Sequence, residues 1–177
     1  RGLLRNATVV ATVMSNLGLG RALQAQGLRL VRTPVGARYV VEAMRQGGSN
    51  LGGEQSAHLI FTDHASTGDG VIAALQVLAV MRRSGRPLSE LARSAMERVP
   101  QVLENVNLPA RRPLEEMARL GAAMEAARQA LGGDGRVLVR WSGTEAKLRI
   151  MVEGPDAQVI GRWASDMAAA ARLDTGA

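Results

Sequence analysis

Twice in its first fifty residues the chain runs through the same cycle of apolar strand, amphipathic helix and glycine. Residues 8–14 and 28–33 carry β-branched and aliphatic side chains at strand spacing, and residues 16–26 and 38–46 read as helices. Gly27 closes the first helix and Gly47-Gly48 the second, where left-handed C-caps fall. This alternation leaves little freedom of fold: parallel strands need a helical crossover, and each helix needs a sheet face on which to bury its stripe. The expectation is an α/β domain, continued by an extended stretch through Ile60 and Phe61 and a helix over 68–83. In that helix Val71, Leu75 and Leu78, with Ile72 and Ala79 beside them, are read as the apolar face. Residues 88–98 read as a further helix leading to a hinge.

From about Pro100 the order changes to a strand over 102–108, a helix over 113–131, two strands around a Ser-Gly turn, and a closing helix over 156–172. That order predicts a smaller α+β domain, with an antiparallel sheet packed by helices. Pro113 suits a first helical turn, and Met117, Leu120, Met124, Ala127 and Leu131 supply its buried stripe. Ile160, Trp163, Ala164, Met167 and Ala171 do the same for the last helix. The change of pattern divides the chain into domains over 1–97 and 98–177.

Aromatic residues are 2% of the chain, so the cores rest on aliphatic side chains and Met, and stacking platforms for single-stranded nucleic acid are nearly absent. A formal charge of +6 implies anionic partners; the basic residues are dispersed and not gathered into a nucleic-acid stripe, and a phosphorylated metabolite is equally compatible with the charge, so no nucleic-acid partner is expected. With no cysteine, thiolate metal sites are excluded, and with only His58 and His64 a multi-histidine metal site is not expected. No apolar run approaches the roughly 20 residues of a membrane span and no signal-peptide plan is present, so we expect a cytoplasmic protein without a membrane partner. The chain opens Arg1-Gly2-Leu3-Leu4 without an initiator Met, and we expect a fragment.

Two loops carry the chemistry. Arg140-Trp141-Ser142-Gly143-Thr144-Glu145-Ala146-Lys147-Leu148-Arg149 joins two strands and sets two guanidinium groups, two hydroxyls and a glycine around one turn. Arg forks donate paired hydrogen bonds to phosphate, Ser142 and Thr144 add hydroxyl donors, and Gly143 admits close approach to backbone N–H groups. An ordinary hairpin with solvated arginines fits the spacing equally well. Gly53-Glu54-Gln55-Ser56-Ala57-His58 gathers a carboxylate, an amide, a hydroxyl and an imidazole next to apolar strands. Glu54 can accept from vicinal hydroxyls, and His58 can hydrogen-bond or transfer a proton near neutral pH, as a sugar ring requires. Taken alone, this loop also fits an exposed polar turn.

Together the loops resemble the α-D-phosphohexomutase superfamily, whose third domain carries Gly-Glu-x-Ser-Gly-His and whose fourth carries Arg-x-Ser-Gly-Thr-Glu-Pro-x-x-Arg. Residues 12–18, 35–40 and 67–70, the last followed by 74–78, look like the same family in the same order. The resemblance implies an α/β/α sugar-binding domain, the family's third, followed by its fourth, phosphate-binding domain. Gln55 and Arg38-Tyr39-Val40 lean towards the branch that acts on glucosamine phosphates, with phosphomannomutase or phosphoglucomutase activity, or a noncatalytic phosphosugar-binding module, as alternatives.

The activity implied by the resemblance is that of a mutase, which moves a phosphoryl group between O6 and O1 of glucosamine through a phosphoserine and a bisphosphorylated intermediate, for amino-sugar nucleotide and cell-wall precursor synthesis. Mg²⁺ would be bound by an upstream domain, since this chain contains neither a Ser-His-Asn-Pro loop nor an Asp-Gly-Asp-Gly-Asp loop. Asp69, at a helix start, is read as a cap or a backbone-packing residue, and no metal is assigned here. The substrate-binding residues implied are Glu54, Gln55, Ser56 and His58, the phosphate-binding residues Arg140, Ser142, Gly143, Thr144 and Arg149. His58 is a candidate accessory group, with a structural role as the alternative. The implied partners are glucosamine phosphates and the N-terminal domains, and a homodimer is a candidate assembly. Ala37, Ala57 and Ala146 depart from the family pattern, at a cleft contact, a loop glycine and a loop proline respectively.

Overall fold

Five residues of sequence Thr-Val-Val-Ala-Thr form β1 (Thr8–Thr12), the central strand around which the first half is built. It is followed by α1 (Leu17–Ala25), β2 (Arg29–Thr33), α2 (Ala37–Gly47), β3 (Leu51–Glu54), β4 (His58–Phe61), α3 (Gly70–Ser84) and α4 (Leu88–Ala95). The computed structural model describes residues 2–143 and 145–177, and the chain divides into two units, Arg1–Arg98 and Val99–Ala177. In the first the strand order is β2-β1-β3-β4; β2 and β3 run parallel to β1, and β4 runs antiparallel to β3.

Val10 pairs with Val31 and Gly52, and Gly52 with Ile60, so these residues share one face of the sheet. On that face Val40 and Met44 of α2 close a fully buried cluster with Val10 and Ile60. Val9, Leu30 and Leu51 share the opposite face, where α1 packs. The helices begin and end where the sequence supplies caps: Asn16 Oδ1 accepts from Gly18 N, and Gly48 takes φ 64° after α2.

Two details differ from the sequence reading. Val71, Leu75 and Leu78 of α3 are 71%, 58% and 56% exposed, and the buried residue of that helix is Ala73. Because α3 is apolar nearly all round, periodicity could not choose its face. The helix after Pro113 does not start there: a single 3₁₀ turn (Leu114–Glu116) precedes α5 (Ala118–Leu131). Met117 at its N-terminus has no acceptor side chain, so Asp174 supplies one, accepting from Arg119 N at 3.4 Å and Leu120 N at 3.0 Å.

In the second unit β5 (Gln101–Asn107), β6 (Arg136–Trp141) and β7 (Lys147–Glu153) form an antiparallel sheet of order β5-β7-β6. Val106, Val137, Val139, Leu148, Ile150 and Val152 point to one face and pack on α5 and α6 (Ala157–Thr175), with Met117, Leu120, Ile160, Ala164 and Met167 fully buried between them. Asp156 accepts from Gln158 N and Val159 N at the start of α6, and these two backbone donors hold its carboxyl below the usual aspartate range. Among the described residues, no helix is long and apolar enough to cross a membrane.

Candidate functional site

Parallel sheets leave a crevice at the carboxyl ends of their strands where the strand order reverses. In the first unit the chain leaves β1 towards β2 on one side and returns to pair with β1 as β3 on the other, so the reversal lies at β1. A cavity of about 400 Å³ occupies this region, lined by Ser15, Asn16, Gly53, Glu54, Gln55 and Arg98 among others. Glu54 and Gln55 are therefore brought to the place where α/β sheets bind ligands. Ser15 and Asn16 were visible in the sequence only as part of a family block; their position after β1, at a helix start, is the signal that could have singled them out.

Glu54 is held from two sides. Its Oε2 accepts from Gly36 N at 3.2 Å, and its Oε1 lies 3.5 Å from His58 Nδ1. Ser56 Oγ is 3.0 Å from the same Nδ1. Glu54 and His58 face each other across the β3–β4 pair, and the turn between them brings three of the four sugar-loop groups into one polar cluster. The Glu54 side chain is 11% exposed, against 54% for His58, so the imidazole is the more open of the two.

The turn itself is strained. Ala57 adopts φ 67°, a left-handed conformation in which a Cβ costs roughly 1–2 kcal/mol. The family's glycine at this position has no such cost. Ala57→Gly should raise stability by about 0.5–1 kcal/mol, the relief of strain being partly offset by the greater freedom of the unfolded chain. Urea denaturation measures this, and a loss of stability would show that the turn does not carry the strain.

In the second unit Arg140 and Arg149 are direct partners in the β6–β7 register, and Arg149 also pairs with Asn105 of β5. Both project from the sheet face opposite α5 and α6, because their neighbours Val139, Leu148 and Ile150 enter the core. Like charges directly opposite on two strands repel. Nε of Arg140 and Nε of Arg149 are buried and have no hydrogen-bond partner among the described residues. Burial, with the charge of Arg149 adding to it, lowers the pKa of Arg140 from its ordinary value, yet a guanidinium keeps its proton at any physiological pH. Two facing cations with unpaired buried donors form a site that an anion would complete.

Lys147 does not add a free cation: its Nζ lies 2.9 Å from Glu145 Oε2, and that contact holds the Glu145 carboxyl below its usual range. Ser142 is buried, with its N–H bonded to Lys147 O at 2.8 Å, and Gly143 is exposed at the tip. Thr144 lies outside the described residues. Ala146, in place of the family's proline, does not leave the stem open, because its carbonyl accepts from Leu108 N at 3.1 Å.

Among the described residues, no group of three or more His, Cys, Asp or Glu could hold a metal ion. Asp69 caps α3, accepting from Ile72 N at 2.9 Å, which is the role its place at a helix start suggested. The described residues do not offer the clustered oxygen ligands that a magnesium site needs.

Residues 1–99 match the model of the phosphoglucomutase/phosphomannomutase α/β/α domain III, and residues 103–170 match that of the C-terminal domain. A phosphoglucosamine mutase of Sorangium cellulosum is 60% identical over 98% of the chain, which covers 36% of that protein. An N-acetylphosphoglucosamine mutase structure from Aspergillus fumigatus superposes with a TM-score of 0.78 at 20% identity, over 95% of this chain and 38% of that one. A second structure of that enzyme, in complex with GlcNAc-6P and magnesium, gives 0.74 at 19% identity, over 95% and 39% respectively. The chain spans little more than a third of the length of the curated relatives it matches. Sequence, strand order and paired loops agree: the chain belongs to the phosphoglucomutase/phosphomannomutase family, the α-D-phosphohexomutases, and carries its domain III and C-terminal domain.

Proposed function

We propose that the chain is the sugar- and phosphate-binding part of a phosphoglucosamine mutase, an enzyme that interconverts glucosamine 6-phosphate and glucosamine 1-phosphate. The observation that carries this reading is the facing pair Arg140 and Arg149, with both buried Nε donors unpartnered among the described residues. Gln55, and relatives of that name at up to about 60% identity, support glucosamine phosphate over a plain hexose phosphate.

In this proposal Arg140 and Arg149 take the phosphate with their forks, and the Gly143 N–H adds a backbone donor at the tip. Glu54, Gln55 and Ser56 read ring hydroxyls or the amine, while Ser56 and Glu54 fix the orientation of His58 through Nδ1. Holding the phosphate remote from the reacting end supplies positioning, which with charge neutralisation is most of what phosphoryl transfer needs from a protein. In this reading the phosphoryl donor and the magnesium chemistry are assigned to other parts of a longer protein: the sequence has no Ser-His-Asn-Pro loop, and the described residues group no set of metal ligands.

Two outcomes test the proposal. Glucosamine 6-phosphate, titrated into the 177-residue chain and followed by amide NMR, should move the signals of the Arg140–Arg149 loop, and mannose 6-phosphate should bind more weakly. The chain alone should interconvert no glucosamine phosphate in a coupled assay; measurable turnover would overturn the division of labour proposed here.

A further inference from the structure

We propose that Arg111 is a positioning residue for the phosphate loop, a strap that turns the loop's N–H groups towards the anion held by Arg140 and Arg149. This rests on the reading of 140–149 as a phosphate loop. Arg111 is an exposed residue between β5 and the 3₁₀ turn, and it belongs to neither loop motif. Its Nη2 donates to Ser142 O at 2.6 Å and to Glu145 O at 2.8 Å, and its Nε donates to Glu145 O at 3.2 Å. One guanidinium thus holds the carbonyls on both sides of the loop's tip.

Peptide geometry sets the consequence. In a planar trans peptide the C=O of one residue and the N–H of the next point in opposite directions. Fixing the Ser142 carbonyl on Arg111 directs the Gly143 N–H to the far side, and fixing the Glu145 carbonyl does the same for the Ala146 N–H. A carbonyl turned the other way would present its negative end to a phosphate. Arg111 prevents that inversion, with its Nε and Nη2 donors engaged by the protein.

The strap is itself anchored. Leu108 N donates to Ala146 O at 3.1 Å on one side of Arg111, and Trp141 Nε1 donates to Arg112 O at 2.8 Å on the other. Arg112 is tied further to the carbonyl of Asp174 at 2.5 Å. Residues 108–112 therefore run as a brace along the loop, with Arg111 placed between two fixed points. A lysine at 111 would keep the charge, but its ammonium, on a flexible stem, lacks the planar Nε–Nη2 fork that grips Glu145 O and so sets the direction of the bond to Ser142 O.

The test uses the 177-residue chain, with inorganic phosphate and glucosamine 6-phosphate as probes and amide NMR titration as the readout. Arg111→Ala and Arg111→Lys should each weaken both probes about tenfold, shift the apo Gly143 amide signal, and leave the melting temperature within a few degrees of wild type. Guanidinium ion at tens of millimolar should restore much of the affinity of Arg111→Ala, where the same concentration of sodium does not. Wild-type affinity in Arg111→Lys would reduce Arg111 to a source of charge, and wild-type affinity in Arg111→Ala would make it irrelevant to binding; either overturns the proposal. Unfolding of both variants would make Arg111 a fold-stabilising residue and overturn it equally. Arg140→Ala runs beside them: if it too binds as wild type, the phosphate-loop reading fails, whereas if it alone loses binding, only the role of Arg111 fails.

Discussion

Arg140→Ala and Arg149→Ala should each weaken glucosamine 6-phosphate binding by about 10- to 150-fold, while the melting temperature of the chain stays level or rises. The loss comes from removing charge-assisted hydrogen bonds, worth roughly 1.5–3 kcal/mol each in a partly buried setting. The unchanged or raised stability comes from the register: the two guanidinium groups sit directly opposite one another, and each has a buried Nε without a partner among the described residues. Deleting either one relieves a cross-strand repulsion and removes a buried unsatisfied donor. Binding and folding therefore pull in opposite directions at this pair, as expected of a site kept for its ligand and not for the sheet. Inorganic phosphate should accordingly raise the wild-type melting temperature, since a ligand that binds only the folded state stabilises it by mass action, and have a much smaller effect on either variant. Thermal melts with and without phosphate, together with NMR titrations, check both halves. A variant that loses several degrees and keeps its affinity would make these arginines structural.

The element order of both units was legible because strands and helices alternate with glycine caps between them, and Gly27 and Gly48 do take left-handed conformations at φ 70° and 64°. The stripes of α5 and α6 were legible for the same reason: polar residues on the other face mark the buried one. On α3 that contrast is missing, and the exposed positions of Val71, Leu75 and Leu78 could not be read. For the loops, residue types gave the chemistry, but pairwise geometry depends on register, which sequence spacing does not state. Nothing in the sequence says that Arg140 lies across from Arg149, that Glu54 accepts from Gly36, or that Arg111 reaches two carbonyls 31 and 34 residues away. Such contacts arise from tertiary folding and leave no periodic trace.

The second large effect concerns a glycine inside the sheet. Gly52→Ala should destabilise the first unit by about 3 kcal/mol, towards the upper end of what overpacking a core costs. Gly52 lies in β3 between Val10 of β1 and Ile60 of β4, on the face covered by α2. A Cβ there would stand 2.6 Å from Met44 Sδ, 2.8 Å from the Val10 carbonyl oxygen and 2.9 Å from Val40 Cγ1. Met44 could shift its flexible end, but the Val10 carbonyl belongs to the central strand and Val40 is a stiff, fully buried side chain, so relief requires α2 to lift from the sheet. That movement would also loosen the link from Gly36 at the head of α2 to Glu54, two residues beyond Gly52, so the sugar loop should lose its order together with the core. Gly70→Ala is the control: a Cβ there meets nothing within 4 Å, and alanine suits the start of α3 better than glycine. In urea, followed by the amide signals of β1 and β3, Gly52→Ala should lower the unfolding midpoint by roughly 1 M or more, given typical denaturant slopes, while Gly70→Ala should hold or raise it. Equal midpoints for the two variants would mean that α2 tolerates a wider spacing from the sheet, and Gly52 would then be dispensable for the position of Glu54.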